Sequence, residues 1–290
     1  MFESYLDYLS FQVRMRPRQL FGSDGLQSLT YAEAWQRAGH VAAALQREGL
    51  GAGDRVAILC KNSLDNLLVF FGCARAGMVP VGINYRLTAD EVGFIAEDAE
   101  GKLLFVDGEF APLIGPFLAE KPQVSVLGDL DGAPSLSGWL EGVGEPVDVA
   151  IRADDVLFQM YTSGTTGLPK GTLLTHHNVI CNSVQAPLTT GRAPRAGDRS
   201  LLIAPTFHAL GLVGALMAIY YGSSLIIHRD FDPVAMVDTL RDDNINYLSV
   251  VPVMLQFALA CVPDIDSYSF PNLNWMNYGA SPISVDLLTR

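Results

Sequence analysis

Apolar residues recur along this chain in two textures, short unbroken runs and stripes spaced three or four apart, and their alternation predicts strands and helices in turn. Trp35, Ala38, Val41, Ala42 and Leu45 stand at helical spacing behind Thr30, an N-cap with Glu33 at the capping-box position. Gly49, Gly51 and Gly53 close that helix. The cluster precedes a strand instead of following one, so it reads as helix termination and not as a dinucleotide fingerprint. A strand at Arg55–Cys60, a turn at Asn62-Ser63, an apolar helix at Leu64–Ala76 and a strand at Met78–Ile83 make a β-α-β unit. Thr88 then caps a helix through Ala99, and Lys102–Val106 is the next strand.

Between Gly108 and Asp155 glycine and proline become frequent, which predicts a surface excursion with one short strand at Gln123–Leu127 and a solvated turn at Asp154-Asp155. The run Val156–Met160 is a buried strand, Gly171–Thr175 a strand returning from the loop after it, and His176-His177-Asn178 opens a helix. Thr189–Arg199, with Pro194 and Gly197, reads as a linker. Beyond it come strands at Leu201–Ala204, Leu225–His228, Asn246–Val250 and Asn274–Asn277, with helices at Leu212–Tyr221, from Asp232-Pro233 to Leu240, and at Pro252–Ala260. Strands of Val, Ile and Leu without polar alternation predict parallel pairing covered on both faces. The fold class is therefore α/β, with two doubly wound, mostly parallel sheet subdomains covered by helices: 52–192 as the first, and 1–51 plus 193–290 as the second.

The chemistry concentrates in Tyr161–Gly171. Thr162, Ser163, Gly164, Thr165, Thr166 and Gly167 bring hydroxyls and glycines behind a buried strand, and Lys170 adds a point charge. Glycines let successive backbone N–H groups turn toward one anion, so the loop has the makings of a polyphosphate cradle. It is not a Walker A loop, because a glycine follows Lys170 and the spacing from Gly164 differs. A flexible Ser/Thr/Gly turn is the plain alternative, but such a turn has no need of so many donors with a lysine.

Composition narrows the classes. With 290 residues, 49% hydrophobic and 17% charged, the chain has enough apolar material for one or two cores. A net charge of -12 argues against nucleic acid as a partner, since nonspecific polyanion binding needs a basic surface. Cys60, Cys73, Cys181 and Cys261 lie far apart, so they are expected to be buried thiols in a reducing cytoplasmic setting, with no metal site. The amino terminus shows no basic n-region, so no secretory signal is expected. Leu201–Ile227 lacks any Asp, Glu, Lys or Arg, long enough to imitate a membrane span, but Pro205, Gly211 and Gly222-Ser223-Ser224 cut it into globular lengths. No stable membrane insertion is expected.

The loop Tyr161–Gly171 resembles the phosphate-binding signature of the adenylate-forming (AMP-binding) enzymes, the group of acyl-CoA synthetases, luciferases and peptide-synthetase adenylation domains. Two further strings fall in order behind it. Ala204–Leu212 resembles the family's second core motif, in which an aromatic-histidine pair, here Phe207-His208 with Gly211 and Leu212 following, borders the tunnel of a small-molecule carboxylic acid. Gly279-Ala280-Ser281-Pro282 resembles the segment against which the adenine lies, with a serine in place of the commoner residue. Alone, His208 between apolar neighbours would read as a core histidine. The family also places a Thr-His pair where Thr175-His176 stand, so a capping and hydrogen-bonding role is expected there.

The resemblance implies an acyl-CoA synthetase using ATP, Mg2+ and coenzyme A, with Lys170 and His208 as catalytic residues. No acid stands between Arg199 and Asp230 to meet a substrate ammonium, and Leu210, Leu212, Val213, Leu216 and Met217 favour a hydrophobic acid, fatty or aryl, although such a helix is as readily plain core. The family's Tyr-Gly-x-Thr-Glu segment, barrel subdomain and small carboxy-terminal domain are not encoded. The chain is thus expected to be the amino-terminal part of a ligase, incomplete at its carboxyl end and inactive or severely impaired alone. A non-catalytic nucleotide- or acyl-binding module and a phosphotransferase using the same loop remain the alternatives.

Overall fold

Local signals set most element starts. Ser4, Thr30, Thr88 and Thr175 each form a reciprocal capping box with the residue three positions on, and Asp232 caps the helix that Pro233 begins. The computed structural model describes residues 2–121, 124–128, 132–162 and 168–289. In chain order its strands are β1 Leu20–Ser23, β2 Ser28–Thr30, β3 Arg55–Leu59, β4 Val79–Gly82, β5 Gly101–Val106, β6 Ser125–Gly128, β7 Val156–Thr162, β8 Lys170–Thr175, β9 Arg199–Leu202, β10 Ser224–Ile227, β11 Tyr247–Val250 and β12 Trp275–Tyr278.

They form two mixed sheets covered by helices. One has the order β6-β5-β3-β4-β7-β8, parallel except for the β7–β8 hairpin; the other has β12-β11-β9-β10-β1-β2, parallel except for β1–β2. The core between them gathers Tyr5, Phe21, Tyr31, Phe70, Phe71 and Phe158 around the helices Leu64–Arg75 and Ala209–Tyr220. Each such side chain contributes about 1.5–3 kcal/mol of apolar burial, which makes the seam between the sheets a stiff platform.

Several expectations are corrected. A helix at Tyr5–Met15 and the β1–β2 hairpin precede the first predicted element; Ser4-x-x-Asp7 was the legible signal, with Tyr5, Leu6, Leu9 and Gln12 buried at helical spacing. Ala111–Glu120, read as irregular from its prolines, is a helix: Pro112 sits in the first turn, where no N–H is needed, and Ile114 and Phe117 bury against Val92 and Ile95. The expected linker begins late, because the helix His176–Thr190 runs through Pro187 before Gly191 ends it at φ 69°. Only two of the four thiols are buried: Cys60 and Cys73, both with pKa pushed up by desolvation, whereas Cys181 is half-buried and Cys261, at the last turn of a surface helix, is exposed. The strand expected at Gln123–Leu127 is β6; Gln123 itself lies outside the described residues. Among the described residues no helix is long and apolar enough to cross a membrane.

Candidate functional site

The signature loop grows from the end of β7. Leu157 to Met160 are buried, so this strand is anchored in the sheet, while Thr162 emerges exposed at its tip. Ser163, Gly164, Thr165, Thr166 and Gly167 lie outside the described residues. The chain resumes at Leu168 and returns as β8, whose antiparallel register sets Lys170 directly opposite Thr162 and Gly171 opposite Tyr161. Lys170 and Thr162 are therefore neighbours across a hairpin neck, both solvent-facing.

The neck is braced from behind. Gln159 donates from Nε2 to the Tyr161 hydroxyl at 3.1 Å, and that hydroxyl donates to Asp98, with its pKa raised by partial burial and the adjacent carboxylate. A Cβ on Gly171 would come within 2.4 Å of Gln159 Nε2, so this glycine makes room for the brace. Gln159 Oε1 is buried and has no hydrogen-bonding partner among the described residues.

The second motif follows β9. Ala204 is buried, Pro205 turns the chain, and His208 stands as the backbone N-cap of Ala209–Tyr220 without using its side chain for the cap. Its imidazole is exposed and tilted over the buried Phe207 ring at 4.3 Å between centroids. Tyr85 meets Phe207 edge-on at 4.9 Å and stacks on Phe110 at 5.0 Å, so an aromatic file from the other sheet supports the histidine. Partial desolvation, then the Arg86 guanidinium, push the His208 pKa below the ordinary histidine value, which keeps the ring neutral at pH 7.

Gly211 has a packing reason to be glycine: a Cβ there would lie 2.3 Å from Pro205 O and 2.4 Å from Ala204 O. Leu212, expected to face the acid, is buried in the core between the sheets, as is Leu216; Met217 is also buried, while Leu210 and Val213 stay partly exposed. Phe207 and Leu212 do border a cavity shared with Gly82, Gln159, Met160 and Thr206, but its volume is about 20 Å³, enough for one water and not for a hydrocarbon chain.

The third string follows β12. Gly279 donates its N–H to Val250 O at 3.2 Å, while Ala280, Ser281 and Pro282 are exposed and Ala280 adopts φ 67°. All three strings thus follow carboxyl ends of strands, where open α/β sheets bind ligands. The strand that leads into the first string, through Phe158, Gln159 and Met160, shares the small cavity with Thr206, Phe207 and Leu212 of the second; the third stands two strands away from β9 along one sheet.

The paired histidines separate in role. His176 is buried and accepts the Tyr5 N–H on Nδ1 at 3.2 Å, with its pKa lowered to about 4 by desolvation against the opposing pull of Asp155 and Asp7. His177 is exposed, 3.3 Å from Cys181 Sγ. Thr175, not either imidazole, caps the helix. Among the described residues no group of three or more His, Cys, Asp or Glu could hold a metal ion. The sequence gives Asn62 only as a turn residue and offers no signal for Asn66 and Tyr85; all three have these partners only in the folded chain.

A profile of the AMP-binding enzyme family matches residues 10–290. Among curated relatives, a fatty acid–[acyl-carrier-protein] ligase, ScoC of Streptomyces coeruleorubidus, is 37% identical over 90% of this chain and 50% of its own length. A feruloyl-CoA synthase of an Amycolatopsis species is 34% identical over 96% of this chain and 55% of its own. The chain spans about half the length of these relatives. Among solved structures, the inhibitor-bound N-terminal domain of FACL13 from Mycobacterium tuberculosis superposes with a TM-score of 0.90 at 30% identity, covering 99% of this chain and 72% of that one. The anthranilate CoA ligase AuaEII shares the fold, with a TM-score of 0.90 at 23% identity, over 98% of this chain and 56% of its own.

Proposed function

Because the chain belongs to the AMP-binding enzyme family, we propose that it carries the ATP- and acid-handling part of an ATP-dependent carboxylate–CoA ligase. The acid is hydrophobic, fatty or aryl; it is activated as acyl-AMP with release of pyrophosphate and then passed to a thiol. The observation that carries this reading is that β7, whose tip sets Thr162 opposite Lys170, and the second motif share one small cavity, lined by Gln159 and Met160 of the strand and by Thr206 and Phe207 of the motif. The subdomains 52–192 and 1–51 plus 193–290 are part of the proposal, supported by the membership of the strands in the two sheets.

In the first half-reaction a carboxylate oxygen attacks the α-phosphorus and pyrophosphate leaves. Lys170 and the Thr162 hydroxyl bring positive charge and a donor to the phosphate oxygens, where charge builds as the bond breaks. Neutral His208 offers a ring N–H to the carboxylate and does not lock it in a full ion pair. Arg86 beside it favours an anionic substrate and disfavours an ammonium, consistent with an acid that carries no amine. Gly279 and the exposed Ala280, Ser281 and Pro282, after β12, would flank the adenine. Mg2+, when bound with the nucleotide, would neutralise phosphate charge, with the Thr162 hydroxyl as a ligand it could share; among the described residues no group of three or more His, Cys, Asp or Glu could hold it. In the second half-reaction the coenzyme A thiol attacks the acyl carbonyl and AMP leaves.

A second reading differs only in that thiol. The 37% identical relative acts on an acyl-carrier protein, so a carrier-bound phosphopantetheine is the competing acceptor. Mass spectrometry of the product after offering coenzyme A and a carrier protein together separates the two. The proposal is tested by acid-dependent ATP–pyrophosphate exchange in an intact enzyme that carries this chain, since the chain alone is expected to be inactive or severely impaired. Lys170→Ala should slow it by about 30- to 1000-fold with an unchanged melting profile; unaltered kinetics would refute the role of Lys170. Transfer of the γ-phosphate, with no pyrophosphate released, would instead make the protein a phosphotransferase.

A further inference from the structure

The turn between β3 and the helix Leu64–Arg75 carries a side chain that no motif includes. Asn62 is 3% exposed. Its Nδ2 donates to Ala204 O at 3.0 Å and to His228 O at 3.3 Å, and its Oδ1 accepts the Thr206 N–H at 3.0 Å. All three partners are backbone groups of the opposite sheet, beyond the ends of β9 and β10. Turn chemistry does not account for them, because the helix is capped by Ser63, whose hydroxyl accepts the Asn66 N–H.

One turn along, Asn66 is 5% exposed and its Nδ2 donates to Thr206 Oγ1 and to Lys61 O, each at 3.1 Å. Thr206 is thus held through both its N–H and its hydroxyl, and Phe207 and His208 follow it directly. The Ala204 carbonyl that Asn62 holds is also one of the two against which Gly211 is seated. A planar amide is the side chain suited to this place, since it supplies two donors and an acceptor, whereas aspartate lacks the donors and leucine lacks everything. The ion pairs that also cross here, Lys61 with Asp230 and Arg229 with Asp107 and Glu109, each have at least one solvent-exposed partner and contribute less to holding the register.

We propose that Asn62 is a positioning residue for the acid-activation step: by clamping Ala204, Thr206 and His228 from the other sheet, it sets where the His208 imidazole stands relative to the β7–β8 neck. The inference rests on the reading of His208 as the group that meets the acid.

The test is made on the full chain with labelled histidine and backbone nitrogen. Asn62→Ala should move and broaden the His208 Cε1–Hε1 resonance and speed Thr206 amide exchange by about tenfold or more. Asn62→Asp, which keeps the acceptor but not the donors, should leave the Thr206 amide protected while the His208 signal still moves. Leu240→Ala, a core truncation in the cluster beneath β11, should lower stability without moving that signal. In pyrophosphate exchange by an intact enzyme that carries this chain, Asn62→Ala should lower kcat about 10- to 100-fold with KM for ATP unchanged.

A merely structural Asn62 would lower the melting temperature while leaving the His208 resonance and Thr206 exchange as in wild type, and that result overturns the proposal. If Asn62→Ala does not fold, Asn62→Asp and Asn66→Ala decide it by the same two signals. Absence of acid-dependent exchange in an intact enzyme that carries this chain would overturn the ligase reading alone, because the resonance still reports whether Asn62 sets the histidine.

Discussion

His176 should make the fold sensitive to mild acid. Its imidazole is 2% exposed and accepts the Tyr5 backbone N–H on Nδ1, tying the first helix of the chain to the one that follows β8. Protonation removes that acceptor and puts a charge where water cannot reach. The folded-state pKa is about 4, against 6.5 for an unhindered histidine. Between those values the unfolded chain holds a proton that the folded chain refuses, so stability is complete above pH 6.5 and is lost as pH falls toward 4. Each pH unit in that interval is worth about 1.4 kcal/mol, which gives a total of about 3 kcal/mol, a large share of the 5–15 kcal/mol typical of a domain.

The matched variant is His176→Asn, whose Oδ1 stands at the same bond distance from Cα as Nδ1 and accepts the same N–H without titrating. Urea midpoints measured from pH 7 to pH 4.5 should fall more steeply in wild type than in the variant. The difference between the two curves isolates His176 from the other histidines and the carboxylates. Parallel curves would refute the reasoning.

Two further outcomes follow from backbone geometry. Gly211→Ala places a Cβ within 2.4 Å of two carbonyl oxygens, which forces the start of the helix away from Pro205; a loss of about 1–3 kcal/mol is expected, and a denaturation midpoint equal to wild type would contradict that contact. Ala280→Gly releases a residue at φ 67°; relief of about 1–2 kcal/mol exceeds the ~0.5–1 kcal/mol cost of glycine's freedom in the unfolded chain, so a small rise in the urea midpoint is expected and a fall would refute the strain.

Elements whose signals are local were legible. The strand expected at Arg55–Cys60 appears at Arg55–Leu59, the helix from Asp232-Pro233 begins at Pro233, and the caps at Thr30 and Thr88 bond as their spacing implies. Ala111–Glu120 was not, because Pro112 and Pro116 outweigh helical spacing until Ile114 and Phe117 have a hydrophobic surface to meet. The apolar stripe of Ala209–Tyr220 looked equally like a substrate wall or core, and burial assigns Leu212, Leu216 and Met217 to the core.

What this sequence determined by itself is whatever needs only neighbours along the chain: capping boxes, strand runs, and the order of three strings that share a family's spacing. The tertiary structure decided what depends on residues far apart in sequence. Asn62 meets Ala204 across 142 positions and His176 meets Tyr5 across 171, and no local pattern encodes either contact. The reason is that a buried polar group must find a partner wherever the packed sheets bring one. Spacing names the residues proposed to hold phosphate, while packing decides which side chains hold their neighbours still.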